Sequence, residues 1–250
     1  MIRLLVTTAA VLTAIPAYAQ SSLGIRGADL SFGAAQDEFG TAQYELDGSV
    51  DVAVTEYHGL QGDLAFYNTD GGLVGQLGAH LYMTPKIGQK YGVFASVSDV
   101  DGRSMVWGNL GVEGMLSLGE ASVVEGRVGL GVSDVNGLDY IFGGVSITHE
   151  ISSSLEIEAS LEVAEFDEAS FSAVSYEAGL TARYNRDGSP LGAYASVTFS
   201  DMTGRDGQPA ETRISVGLTV ALGTTGGVDP ATRPFRRTDP VAPLVRRGLW

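Results

Sequence analysis

The chain has 250 residues and no cysteine, so it fits one large domain or two small ones, and no disulfide or thiolate metal site can hold it together. Thirty acidic residues against fifteen basic ones give a net charge of −15, which argues against nucleic-acid binding, and a hydrophobic fraction of 44% argues against a disordered chain. Glycine contributes 34 residues, about twice the usual ~7%, while lysine is confined to Lys86 and Lys90, where a soluble β protein would scatter it over solvated edges.

Residues 1–19 read as a signal peptide. Arg3 precedes an apolar stretch over 4–15, and Ala17-Tyr18-Ala19 before Gln20 forms an A-x-A cleavage site. Pro16 and the short run disfavour an N-terminal anchor, and no other stretch is long and apolar enough to cross a bilayer as a helix. The protein is expected to be exported, and any membrane passage must then use strands.

From Leu23 to Leu222 the hydropathy period is two nearly everywhere, so the expected fold is all β. The clearest segment sets Leu155, Ile157, Ala159, Leu161 and Val163 on one face and Glu156, Glu158, Ser160 and Glu162 on the other. Segments of this kind predict twelve strands near 23–33, 42–54, 58–67, 73–83, 90–98, 104–117, 121–133, 138–149, 153–164, 172–184, 191–200 and 211–222. Neither register of the first is clean, since Arg26 and Asp29 fall on opposite faces. Asn68-Thr69-Asp70-Gly71, the stretches 98–102, 133–137 and 200–204, and acidic residues around 36–38 and 165–168 fall between alternate strand pairs, so strand parity puts six acidic loops on one rim. Pro85-Lys86, Gly119-Glu120, Ser152-Ser153 and the 185–188 turn belong to the opposite rim.

Alternation alone does not say whether the apolar face meets a core or lipid. Long uniform strands, free of proline except Pro190 at the start of one, and a polar face rich in Gly, Ser, Thr, Glu and Arg favour a closed antiparallel transmembrane β-barrel over a soluble sandwich, whose strands average about 5–6 residues. Tyr44, Phe66, Tyr91, Tyr176, Tyr184 and Phe199 fall near the ends of outward faces, as an interfacial girdle requires, although ordinary β propensity explains them equally well.

The signal peptide, the twelve amphipathic segments, the acidic loops and the short turns resemble the small porin-like outer-membrane barrels of Gram-negative bacteria, over residues 20–222. The resemblance is architectural. It implies an outer-membrane location, contact with outer-membrane lipids and lipopolysaccharide, and delivery by the barrel-insertion machinery. Ser215, Gly217, Val220 and Leu222 are similar to the polar-x-Gly-x-x-hydrophobic-x-hydrophobic assembly signal of a last strand, although this chain continues for 28 residues beyond it.

In this phase Glu45, Asp47, Asp51, Asp63, Glu113, Glu125, Glu156, Glu158, Glu162 and Glu177 face the lumen with Lys90, Arg127, Arg183 and Arg213. Carboxylates in excess would favour cations, so these residues are expected to line a narrow, mildly cation-preferring porin-like pore for passive diffusion of small solutes. The competing reading is a non-conducting structural or surface-interaction barrel whose polar interior is filled by cross-strand pairs. His58, His80 and His149 sit on separate strands, His80 facing the lumen and the other two near turn ends, and each is read as a strand-end polar residue, so no catalytic constellation, cofactor or metal site is expected. Asp99/Asp101 and Asp134/Asn136 lack the further oxygen ligands of a calcium loop and read as hairpin turns.

Residues 224–250 differ from everything before them, with four of the eight prolines and five arginines at 233, 236, 237, 246 and 247. Their composition predicts a separate, disordered basic tail at the periplasmic rim, a solvated linker or a segment touching anionic lipid, peptidoglycan or the acidic lumen. The expected organisation is thus a signal peptide over 1–19, a barrel over 20–223 and a tail over 224–250.

Overall fold

Period-2 alternation buries one strand face and exposes the other, and over twelve strands it builds a wall with two surfaces. The computed structural model describes residues 24–134, 138–186, 188–223 and 226–249. The proposed signal peptide, Asn136 with its loop neighbours Val135 and Gly137, and Asp187 of one turn lie outside the described residues. The strands are β1 (Ile25–Asp37), β2 (Ala42–Ala53), β3 (His58–Thr69), β4 (Gly72–Lys86), β5 (Gln89–Val100), β6 (Val106–Ser117), β7 (Ser122–Ser133), β8 (Asp139–Ser152), β9 (Leu155–Asp167), β10 (Ser172–Asn185), β11 (Leu191–Thr203) and β12 (Gln208–Gly223). Each pairs antiparallel with its sequence neighbours. β1 closes on β12, from Gly27 opposite Gly223 to Asp37 opposite Arg213, so the sheet has no edge to protect.

The apolar face points outward. Leu161 is 44% exposed while Glu158, three residues earlier on the same strand, is 3% exposed. The same division runs round the wall, with Leu30, Leu81, Val112, Ile141, Leu180 and Leu218 all exposed. Strands of 12 to 16 residues, at roughly 3.3 Å per residue and ~45° of tilt, cover ~28–37 Å, enough for the ~30 Å hydrocarbon core of a bilayer. An uninterrupted ring of exposed aliphatic side chains has no counterpart on a soluble protein and matches the lipid-facing band of a transmembrane barrel. Tyr44, Tyr176 and Phe199 lie exposed toward one end of the wall and Tyr91 and Tyr184 toward the other, with Phe66 half-buried.

Two local readings change. The unclear register of the first strand is a bulge: pairing slips between Ile25 and Gly27, and Arg26 reaches inward to donate to Tyr82 Oη at 3.1 Å while Asp29 also faces inward. Pro85, assigned to a turn, is the penultimate residue of β4, where the ladder to β5 slips between Met83 and Lys86, a place where its missing N–H costs no ladder bond.

The six acidic connections share one rim, here called the loop rim, and the other turns share the opposite, turn rim. Among the loops, Asp206 accepts the Ser172 backbone N–H at 2.8 Å and the Arg205 Nε at 2.9 Å, and these donors, the backbone one first, hold its carboxyl below the usual carboxylate range.

The tail is not a disordered segment. It leaves β12 at the turn rim, enters the barrel and runs through the lumen to the loop rim, where it ends in a short helix, α1 (Ala242–Arg246). Phe235, Val241, Leu244 and Val245 are all buried. The expectation from composition fails because a Pro/Arg-rich strip that cannot make a core of its own is given one by the inside of the barrel.

Candidate functional site: the lumen and its C-terminal plug

Five inward-facing glycines shape the wall. Gly59, Gly111, Gly129, Gly131 and Gly217 stand directly opposite Tyr82, Phe94, Phe142, Tyr140 and Tyr194, and in each case the partner's ring occupies the space a Cβ would need. The rings therefore lie along the wall instead of crossing the lumen. Tyr194 extends over Gly217 and Gly33 to donate to Glu45 Oε1 at 2.6 Å. Gly217, read in the sequence as part of an assembly signal, thus also has a packing role. Ser215 beside it faces inward and is buried, and Leu222 is exposed on the outer face with Val220 half-buried.

All fourteen charged residues placed on the inner face by alternation do face inward, but many meet the tail instead of water. Glu158 is the centre of the ionic contact. Arg183 and Arg233 donate to its Oε2 at 2.9 Å each, and Arg236 Nε lies 3.1 Å from its Oε1. Glu156 shares Arg183 at 3.5 Å and Arg233 at 3.3 Å, and Glu162 lies 3.6 Å from Arg236. Asp47 pairs with Arg237 at 3.0 Å, and Glu177 with Arg246. Glu211, which the sequence reading passed over, pairs with Arg246 at 3.3 Å and Arg247 at 3.5 Å and lies 3.7 Å from Arg213. Among the wall's own pairs, Glu125 holds Arg127, and Asp51 accepts the Tyr82 hydroxyl.

His80 is not a strand-end residue. It sits at mid-wall between Asp63 Oδ2 at 2.7 Å and Glu113 Oε1 at 2.6 Å, buried, and stacks on Phe235 with ring centroids 5.7 Å apart. Lys90 closes the same seat. Its Nζ donates to the Arg233 carbonyl at 2.8 Å and lies 4.6 Å above the Phe235 ring. Gln61 supplies what a neighbouring strand would: its Oε1 accepts the Phe235 N–H at 2.8 Å and its Nε2 donates to the Phe235 carbonyl at 2.9 Å. Gln76 donates to the Thr238 carbonyl at 2.9 Å and accepts from Arg237 at 3.0 Å. Extended backbone inside a barrel lacks a ladder partner, and these two glutamines provide one.

Toward the loop rim the inner wall changes character. Tyr67, Val74, Phe94, Trp107, Tyr140, Phe142 and Phe166 form an apolar cup that receives Val241 and, from α1, Leu244 and Val245. Asp239 sits at the cup's floor, accepting from Tyr67 Oη at 2.7 Å and Trp107 Nε1 at 3.1 Å. The sequence carried a signal for this cup: in Tyr140-Ile141-Phe142 both faces are apolar, which a strand between lipid and water does not need.

No protein-family profile and no curated protein matches this sequence. Solved structures match its fold. The NanC porin superposes with a TM-score of 0.61 at 11% identity, covering 76% of this chain and 98% of that one. An outer-membrane channel from Pseudomonas putida F1 gives 0.55 at 10% identity, covering 82% and 98%. The KdgM porin gives 0.52 at 11% identity, covering 77% and 98%. The fold is the one these small outer-membrane barrels share, and the exposed aliphatic ring is a lipid-facing surface.

Proposed function

We propose that this barrel is a porin-like channel for passive diffusion of small solutes, with a mild preference for cations, and that residues 226–249 narrow its lumen. One observation carries the reading: a closed wall with a lipid-facing exterior has an inner surface dominated by carboxylates, and part of that surface is not covered by the tail. The tail's five arginines neutralise Glu156, Glu158, Glu162, Glu177, Glu211 and Asp47 in part, so the preference is weaker than a bare wall would give. Outer-membrane lipids would cover the aliphatic ring, lipopolysaccharide would meet the acidic loop rim, and the insertion machinery would read β12.

The second reading, a structural or surface-interaction barrel that conducts nothing, draws on the apolar cup, where α1 fills the lumen at the loop rim. Planar-bilayer recording decides between them. The channel reading expects discrete steps with a reversal potential of the cation-preferring sign in a KCl gradient, and a flat baseline with folded protein inserted would establish the second.

A further inference from the structure

The tail covers the lumen unevenly. On the inner faces of β3 to β9 nearly every side chain it meets is buried, as with Gln61, Gln76 and Lys90, and Ser98 and Ser146 on that wall are 1% and 4% exposed. On the opposite wall the inward-facing Glu45, Glu177, Thr181, Ser196, Thr198, Arg213 and Thr219, from β2, β10, β11 and β12, are all half-exposed. Between that wall and the tail lies a cavity of about 180 Å³, bounded by Gln43 and Tyr67 toward the loop rim and by Thr181, Thr198 and Arg213 lower down. The cause lies in the distribution of partners. The groups that hold the tail's backbone over 233–238 and its Phe235, namely Gln61, Gln76, His80, Lys90 and Glu125, are on β3, β4, β5 and β7, and Glu156 and Glu158, which hold Arg233, are on β9, whereas Asp47, Glu177 and Glu211 on the other wall are reached by the arginine side chains of 237, 246 and 247. The tail is drawn to one side and a crescent is left on the other.

We infer that this crescent, between the tail and the wall of β10, β11, β12, β1 and β2, is the water-filled route through the protein with its tail in place, and that Glu45, Glu177 and Arg213 set its charge preference. The inference rests on the channel reading above and gives it a path. Both signs of charge line the cavity, with Arg213, Arg236, Arg237 and Arg246 against Glu45, Glu162, Glu177 and Asp239. A passage of this size and mixed charge suits inorganic ions and solutes of a few heavy atoms.

The absence of native cysteine makes the test clean. Four full-length variants, S196C, T198C, S98C and S146C, each nearly isosteric with the original residue, are treated with a small cationic methanethiosulfonate reagent, and heat-modifiable migration on a gel checks their folding. Ser196→Cys and Thr198→Cys are expected to react at least tenfold faster than Ser98→Cys and Ser146→Cys, and their modification to lower single-channel conductance. Equal reaction at all four positions, or protection of 196 and 198, would overturn the inference. The expected labelling pattern in a protein that never conducts would instead sink the channel reading and leave the crescent a blind vestibule.

Discussion

The tail is held in two ways along its length. Between Arg233 and Arg237 it is held by charge and hydrogen bonds to a polar wall, and between Val241 and Val245 by aliphatic packing into an aromatic cup. The ionic stretch demands that each guanidinium meet its own carboxylate, so it fixes register. The apolar stretch is less particular about angle, and it contributes the burial that offsets desolvating so many charges. A tail of arginines alone would leave the cup wet, and a tail of aliphatics alone would leave the carboxylates of β9 buried without partners.

Substitutions in each stretch can break this comparison. The largest effect is expected from Glu158→Gln, because one carboxylate serves Arg183, Arg233 and Arg236. Removing one partner of a buried ionic cluster costs about 3–5 kcal/mol, which should appear as trypsin cleavage after Arg236 and Arg237 in otherwise folded protein, the Arg233–Pro234 bond being resistant in any state. Leu244→Ala in the cup should cost about 2–5 kcal/mol by lost burial and cavity formation. The expected cleavage there is after Arg246 and Arg247, with Arg236 and Arg237 still protected. If either substitution frees the whole tail at once, the two stretches form one cooperative unit and the division drawn here is wrong.

Smaller effects sharpen the picture of the wall itself. Gly217→Ala places a methyl group where the Tyr194 ring lies, and overpacking of that kind costs about 1–3 kcal/mol. It should lower the temperature at which the folded gel band is lost while leaving the tail protected. Arg205→Ala, at an exposed loop pair with Asp206, is expected to change neither readout measurably, because solvent screens that pair.

Much of the barrel is legible in residues close together in the chain. Leu155 to Val163 alternate with Glu156 to Glu162, and that alone fixes both the strand and its two faces. Strand parity places the acidic connections on one rim. Local pattern misled at Arg26, where a bulge turns the chain, and at His80, whose carboxylate partners Asp63 and Glu113 come from two other strands. The tail was misread for the same reason. Arg233, Phe235 and Leu244 show no period because their regularity belongs to the wall they touch.

What the sequence by itself determined is the twelve strands, each with one apolar and one polar face, and the fourteen charged residues that share the polar face, because period two is a property of neighbouring residues. Only the tertiary structure decided what those residues meet. Contacts such as Gln61 with Phe235 or Glu158 with Arg233 join groups far apart in the chain, and they form only once β12 has closed on β1 and the tail has somewhere to go.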